Sequence, residues 1–165
     1  MKIFTDGAAT KNGKSDCSCG IGVYSSDLSV SMSLEECKKK WDWIPKSTKN
    51  SNNIGELLAI YAAIVMSKED DIIIYSDSAY SINCVTKWHK NWKKNGWKTS
   101  KNECVKNKDI IEKILEEKEK KKAVFFCHVN SHLKEPEDKE SNEHFLWYGN
   151  YMADELATAS IKNIY

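Results

Sequence analysis

Apolar and polar residues change period several times along the chain, and each change marks an element. Residues 2–5 are a short apolar-rich run ending at Asp6-Gly7, while residues 20–24 and 28–32 alternate with period two. This predicts three strands, the last two forming a hairpin. From Asn52 the period lengthens: Ile54, Leu57, Leu58, Tyr61, Ile64 and Val65 recur at i, i+3, i+4, i+7, i+10 and i+11, one face of a helix. Ala59, Ile60, Ala62 and Ala63 widen that face, so this helix packs into a core rather than lying on a surface. Asp70-Asp71 breaks the pattern, and Ile72-Ile73-Ile74-Tyr75 is a continuous apolar run suited to a strand buried on both faces. A helix follows Ser76-Asp77-Ser78 to about Trp88, another spans about 108–119, a strand covers 124–129, and a last helix runs over about 151–161. The order predicts an α/β fold, a mixed sheet flanked by helices, in a single domain over residues 1–165.

Size and composition narrow the possibilities. A chain of 165 residues and 18.9 kDa can build one core but not two ordinary ones. No stretch approaches the roughly 20 apolar residues of a membrane helix, so no membrane partner is expected. The net charge of +1 argues at first against a polyanion, yet the charges are unevenly placed. Segment 86–108 carries eight lysines against one acid, a net +7, so the rest of the chain sums to −6. Trp88, Trp92 and Trp97 lie among these lysines, a mixture suited to a nucleic-acid backbone. The alternative is an amphipathic helix anchored by its tryptophans with the lysines merely solvated. All 25 basic residues are lysine, which removes the bidentate fork that reads guanine edges and disfavours sequence-specific binding. Six cysteines follow a start, Met-Lys-Ile-Phe, unlike a signal peptide, and Cys17-x-Cys19 lacks the spacing of a zinc site. They read as structural thiols in an intracellular protein, cytoplasmic or nuclear. Lysine-only basicity with abundant Asn and Ile also fits an A·T-rich genome, that of a virus or of an A·T-rich microbe.

Four acids stand where sites are built in α/β sheets, at the edge where strands end. Asp6 closes the first strand, Asp77 the fourth, Glu56 lies in the first turn of the core helix, and Asp154 near the start of the last. Carboxylates gathered at one edge repel and call for a cation, and oxygen-only ligands suit Mg²⁺ or Mn²⁺. Each acid also has a purely structural reading. Glu56 could complete a capping box begun by Asn53, Asp77 could cap the helix from Ser78, Asp154 could favour a helix N-terminus, and Asp6 could be a turn residue. His132, in the loop after the last strand, is either solvated or a proton shuttle near a metal-bound phosphate.

Seven motifs resemble, in order, ribonuclease H of type 1: Phe4-Thr5-Asp6-Gly7, Cys19-Gly20-Ile21-Gly22-Val23-Tyr24, Asn52-Asn53-Ile54-Gly55-Glu56, Tyr75-Ser76-Asp77-Ser78, Lys93-Lys94-Asn95-Gly96-Trp97-Lys98-Thr99, Val129-Asn130-Ser131-His132 and Met152-Ala153-Asp154-Glu155-Leu156-Ala157. The wording looks closer to the eukaryotic catalytic domain, without its N-terminal hybrid-binding domain. The resemblance implies a ribonuclease H-like fold with a five-stranded mixed sheet. It implies a monomeric endonuclease that cuts the RNA strand of RNA·DNA hybrids without base specificity, leaving 5′-phosphate and 3′-hydroxyl ends. Asp6, Glu56, Asp77 and Asp154 match the family's metal-binding acids, which imply two Mg²⁺ ions with Mn²⁺ as a substitute, and His132 matches its histidine. Asn52 and Asn53 match positions facing the minor groove and 2′-hydroxyls. Tyr80 and Trp92 match aromatics along the DNA strand, and Lys93, Lys94 and Trp97 belong to the basic segment. Lys49, Ser51 and Asn107 match the pocket for a DNA phosphate, with lysine in place of an arginine. Two segments are longer than usual, 34–50 and the loop 133–150, which could cover the active site, repel substrate at one rim or, the reading favoured, pack its Phe145, Leu146, Trp147 and Tyr148 on the sheet. Two other readings remain: a non-catalytic hybrid- or RNA-binding module, and an integrase-like or junction-cleaving nuclease of the same superfamily.

Overall fold

The computed structural model describes residues 1–11 and 14–162. Strands β1 (Lys2–Thr10), β2 (Ser18–Tyr24) and β3 (Ser29–Ser33) form an antiparallel meander. Strand β4 (Asp71–Ser76) pairs parallel to β1, and β5 (Ala123–His128) parallel to β4. The sheet order β3-β2-β1-β4-β5 is the expected five-stranded mixed sheet. Its helices are α1 (Leu34–Lys40), α2 (Asn52–Met66), α3 (Ala79–Asn83), α4 (His89–Lys94), α5 (Lys108–Glu119) and α6 (Asn142–Lys162), with one π turn, Cys84–Trp88, joining α3 to α4.

Helix α2 is buried without a break from Ile54 to Ile64, as its wide apolar face requires. It starts where the Ser51 hydroxyl accepts the Ile54 amide at 3.2 Å. Ile3, Leu57, Leu58, Ile60, Ile72 and Ile74 fill the core on this side, with Ile111 and Ile114 of α5 behind them. Helix α6 covers the other face of β1 and β2, over a smaller cluster of Phe4, Tyr75, Val129 and Ala153. Phe4 stacks on Tyr75 with ring centres 4.8 Å apart and takes the edge of Phe145 at 5.5 Å. No helix among the described residues is long and apolar enough to cross a membrane. All six cysteines are free, and burial pushes the thiols of Cys19 and Cys84 up to about 11 and Cys37 up to about 12, which keeps them protonated and inert.

Four boundaries differ from expectation. Strand β1 runs through Asp6 to Thr10, because Asp6 to Thr10 continue the antiparallel ladder with β2 after the parallel pairing to β4 has ended at Thr5. Helix α1 falls where the apolar pattern predicts no element; a capping box of Ser33 with Glu36 starts it, and it buries only Leu34 and Cys37. The helix after Asp77 continues past Trp88 through α4. The last helix begins at Asn142, so residues 142–150 of the expected loop are helical. The Ser141 hydroxyl accepts the His144 amide at 3.1 Å there, and Phe145 and Tyr148 pack on Phe4 and Tyr24.

Candidate functional site

The parallel pairing of β1 with β4 ends at Thr5 and Ser76, and the next residue of each chain segment, Asp6 and Asp77, brings a carboxylate to the same place just past the end of β4. Gly7, the next residue, faces α2. A Cβ there would overlap the Glu56 amide nitrogen and the Gly55 carbonyl carbon, so only glycine lets α2 lie against β1 at this point. That approach brings Glu56 over the strand. One carboxylate oxygen each from Asp6, Glu56 and Asp77 lies within 4.8 Å of the others. On the opposite face, Gly22 performs the same service for α6: a Cβ would overlap the Ala153 carbonyl, one residue before Asp154. Asp154 stands outside the tight triad, but it helps to push the Asp6 carboxyl up and lines the same recess.

The structural readings of these acids fail one by one. Ser51 caps α2, which leaves Glu56 outside any capping box with Asn53. Ser78, not Asp77, caps α3 by accepting the Ser81 amide at 3.2 Å. Asp154 lies well inside α6, and Asp6 is in a strand rather than a turn, its Oδ1 accepting the Gly7 amide at 2.9 Å.

What remains is repulsion. Asp6 and Glu56 are only 4 % and 5 % exposed. Burial first, and then the charges of Glu56 and Asp77, push Asp6 up to about 11. Burial and Asp77 push Glu56 up to about 8, and burial raises Asp77 as well. The Glu56 Oε2 atom is buried with no hydrogen-bond partner among the described residues. An orphaned oxygen within a crowded, oxygen-only triad fits a hard divalent cation, which would both neutralise the cluster and complete its coordination.

The recess of about 270 Å³ over the triad is lined by Asn52, Ser78, Ser131, His132 and Asp154 in addition to the three acids. His132 is exposed and near enough to Asp77 to favour its charged form. A second recess of about 680 Å³ brings together Lys49, Ser51, Asn53 and Asn107, with Lys106 and Lys108 beside them. Asn107 begins α5 in the left-handed region at φ 63°, and its Nδ2 donates to the Tyr80 hydroxyl at 3.1 Å. From Tyr80 a row of rings runs through Trp88 and Trp92 to Trp97, with successive centres 6.0, 6.0 and 6.2 Å apart. Trp92 and Trp97 pack against the core, whereas Lys93 and Lys94 stand exposed on the last turn of α4 and line neither recess. The tryptophans thus anchor the segment, as the amphipathic reading expects, and of its lysines Lys108 pairs with Glu112 at 3.5 Å.

Three groups near the acids are not among the residues that the sequence assigns to the site. Trp147, Asn150 and Tyr151 share a small cavity with Asp77, His132 and Asp154. Their spacing to Asp154, seven, four and three residues, is one helix face, visible only once the helix starts at Asn142. The His128 imidazole, also unflagged by the sequence, meets the Asp77 backbone carbonyl at 3.2 Å.

A family model described as RNase H matches residues 1–162 of the chain. The chain is 40% identical over 156 residues to a Ribonuclease H of Clostridium botulinum, covering 93% of this chain and 95% of that one. It is 32% identical over 137 residues to Ribonuclease H1 of Mus musculus, covering 79% of this chain and 43% of the mouse protein. The solution structure of the PFV RNase H domain superposes with a TM-score of 0.67 at 21% identity, covering 96% of this chain and 92% of that domain, a likeness of fold.

Proposed function

The chain belongs to the ribonuclease H family, and from that premise we propose that it hydrolyses the RNA strand of RNA·DNA hybrids, without base specificity, to 5′-phosphate and 3′-hydroxyl ends. The observation that carries this reading is the triad of Asp6, Glu56 and Asp77, three carboxylate oxygens within 4.8 Å, one acid with an unpartnered buried oxygen. With Asp154 they would hold divalent cations, a pair of Mg²⁺ or Mn²⁺ in its stead, which when bound supply the charge that polarises the scissile phosphate and lowers the pKa of the attacking water.

The chain's own groups do the rest. Asp6 and Glu56 fix the triad from two rigid elements, so little reorganisation is needed when substrate arrives. His132, exposed at the rim, exchanges protons between the reacting oxygens and water through an imidazole nitrogen. Asn52 and Asn53, at the start of α2, face the minor groove, where the 2′-hydroxyl distinguishes RNA from DNA. Lys49, Ser51 and Asn107 grip a phosphate of the DNA strand, the lysine acting as a point charge where an arginine would bind bidentately. Tyr80, Trp92 and Trp97 form the wall along which that strand runs, and Lys93 and Lys94 hold its backbone.

The test of the activity is cleavage of a hybrid against RNA and DNA duplexes of the same sequence: the hybrid alone should be cut, and equal cutting of duplex DNA or of a junction would favour the superfamily's other nucleases. For the basic segment, Lys93→Ala with Lys94→Ala should weaken hybrid binding and flatten the dependence of log K on log salt by about 2, one for each phosphate that a lysine neutralises. An unchanged slope, measured by fluorescence anisotropy across a salt series, would remove these lysines from the binding face.

A further inference from the structure

The loop that carries His132 joins β5, ending at His128, to α6, beginning at Asn142. A connection of that length ordinarily leaves a side chain free to wander. His132 nevertheless stands in the left-handed region, at φ 57°, a conformation that a non-glycine residue keeps only where its surroundings over-determine it. The surroundings that do so are on α6. The Trp147 indole Nε1–H donates to the Leu133 carbonyl at 3.0 Å, and the His144 ring nitrogen meets the Glu135 carboxylate at 3.0 Å. On the near side, the Val129 amide donates to the Ser76 carbonyl at 2.9 Å. Between the ties at Val129 and Leu133 lie only Asn130, Ser131 and His132. The indole is itself fixed, stacked on Tyr151 with centres 5.4 Å apart and 18° between planes, with the His144 ring 5.3 Å away as its other neighbour along the helix.

We propose that the first turns of α6 act as a clamp on this loop, and that Trp147 is a positioning residue: its indole N–H on the Leu133 carbonyl holds His132 beside Asp77 and Asp154, with Glu135–His144 as the second tie. The inference rests on the reading of His132 as the proton-handling group of hybrid cleavage. Loss of the clamp lowers the fraction of molecules with the imidazole at the recess, and so acts on the chemical step. The hybrid is gripped elsewhere, by the Lys49 recess and the lysines of α4, so binding is spared.

The experiment is a double-mutant cycle on hybrid cleavage. Trp147→Phe keeps a ring on Tyr151 and removes the donor; kcat should fall about fivefold, the rate equivalent of one net hydrogen bond, with KM within about twofold. In a His132→Ala background the same change should have no further effect. A fivefold loss that persists without His132, or an effect on KM alone, would overturn the proposal. Glu135→Ala, at an exposed loop position, guards against a Trp147 variant that does not fold: it should lower kcat about twofold and likewise be silent without His132, and an unchanged kcat would count against the clamp. The His132 Cε1–H resonance reads the same contact without any turnover. It should shift and broaden in Trp147→Phe, and a resonance identical to that of the wild type would reject the clamp even if the hybrid were left uncut, an outcome that would itself reject the activity and not the clamp.

Discussion

Replacing Asp6 by asparagine is expected to abolish hybrid cleavage, on the order of 10³-fold or more, while stabilising the metal-free protein. Glu56, Asp77 and Asp154 all bear on the Asp6 carboxyl, the acid that burial and its neighbours push up furthest. Asparagine takes away a ligand and, with it, the proton that the buried Asp6 must take up for the metal-free protein to fold. The pH dependence follows from the direction of the shifts. Folded Asp6 and Glu56 hold protons up to about 11 and about 8, against unfolded values of 3.8 and 4.5. A carboxyl whose pKa is raised by folding contributes stability that is fully present below the unfolded pKa and lost as pH climbs towards the folded one. The wild-type melting temperature without divalent metal should therefore fall from about pH 4.5, the unfolded Glu56 value, to about pH 8, where folded Glu56 titrates while Asp6 still holds its proton. Mg²⁺ added at the upper end should restore it. Asp6→Asn should melt higher than the wild type there, fall less with pH and respond less to Mg²⁺. Cleavage at a near wild-type rate by this variant would contradict the assignment of Asp6.

Gly7→Ala carries the second large effect, and it acts without touching a carboxylate. The added Cβ would meet the backbone of Gly55 and Glu56, which cannot rotate aside as a side chain could, so α2 must move off β1. Overpacking of this kind costs about 1–3 kcal/mol or more. The same shift pulls Glu56 away from Asp6, and a misplacement of about 1 Å in a catalytic constellation costs roughly 10²-fold in rate. Denaturant unfolding and single-turnover cleavage of the hybrid measure the two losses separately. An alanine variant with full activity would show that the close approach of α2 is not what sets the triad.

Much of this arrangement can be read from the sequence, and the exceptions have physical causes. Asp77 stands out just past the end of the fourth strand and Glu56 near the start of the core helix, which announces itself by an apolar face too wide for a surface, whereas Asp6 and Asp154 fall inside β1 and α6 and not at the element ends that the pattern predicts. The structural readings of Glu56 and Asp77 cannot be dismissed on sequence grounds, since a helix start is uncertain by a residue or two and the capping serines, Ser51 and Ser78, lie next to the asparagines and the aspartate that compete for the role. Helix α1 carries its signal in Ser33-x-x-Glu36, but two buried residues give no period to recognise.

The start of α6 is hidden for a different reason. Phe145-Leu146-Trp147-Tyr148 is an unbroken apolar run, which conceals helical period, and Gly149 after it reads as a break. In the fold that glycine is a contact, because a Cβ there would overlap the Phe4 ring. Its aromatic neighbours spread around the helix, Phe145 and Tyr148 towards the sheet and Trp147 towards the His132 loop. The charge sum misleads in the same way: +1 conceals a +7 segment whose lysines face water and a −6 remainder that includes four acids crowded at one strand edge.

The most direct test of hybrid-specific, metal-dependent cleavage is a hybrid labelled at the 5′ end of its RNA and, separately, of its DNA, incubated with the wild-type protein in Mg²⁺ and in EDTA. The expected result is RNA fragments ending in 3′-hydroxyl groups, an intact DNA strand, and no cleavage in EDTA. Cleavage that survives chelation, or that falls equally on the DNA strand, would contradict it.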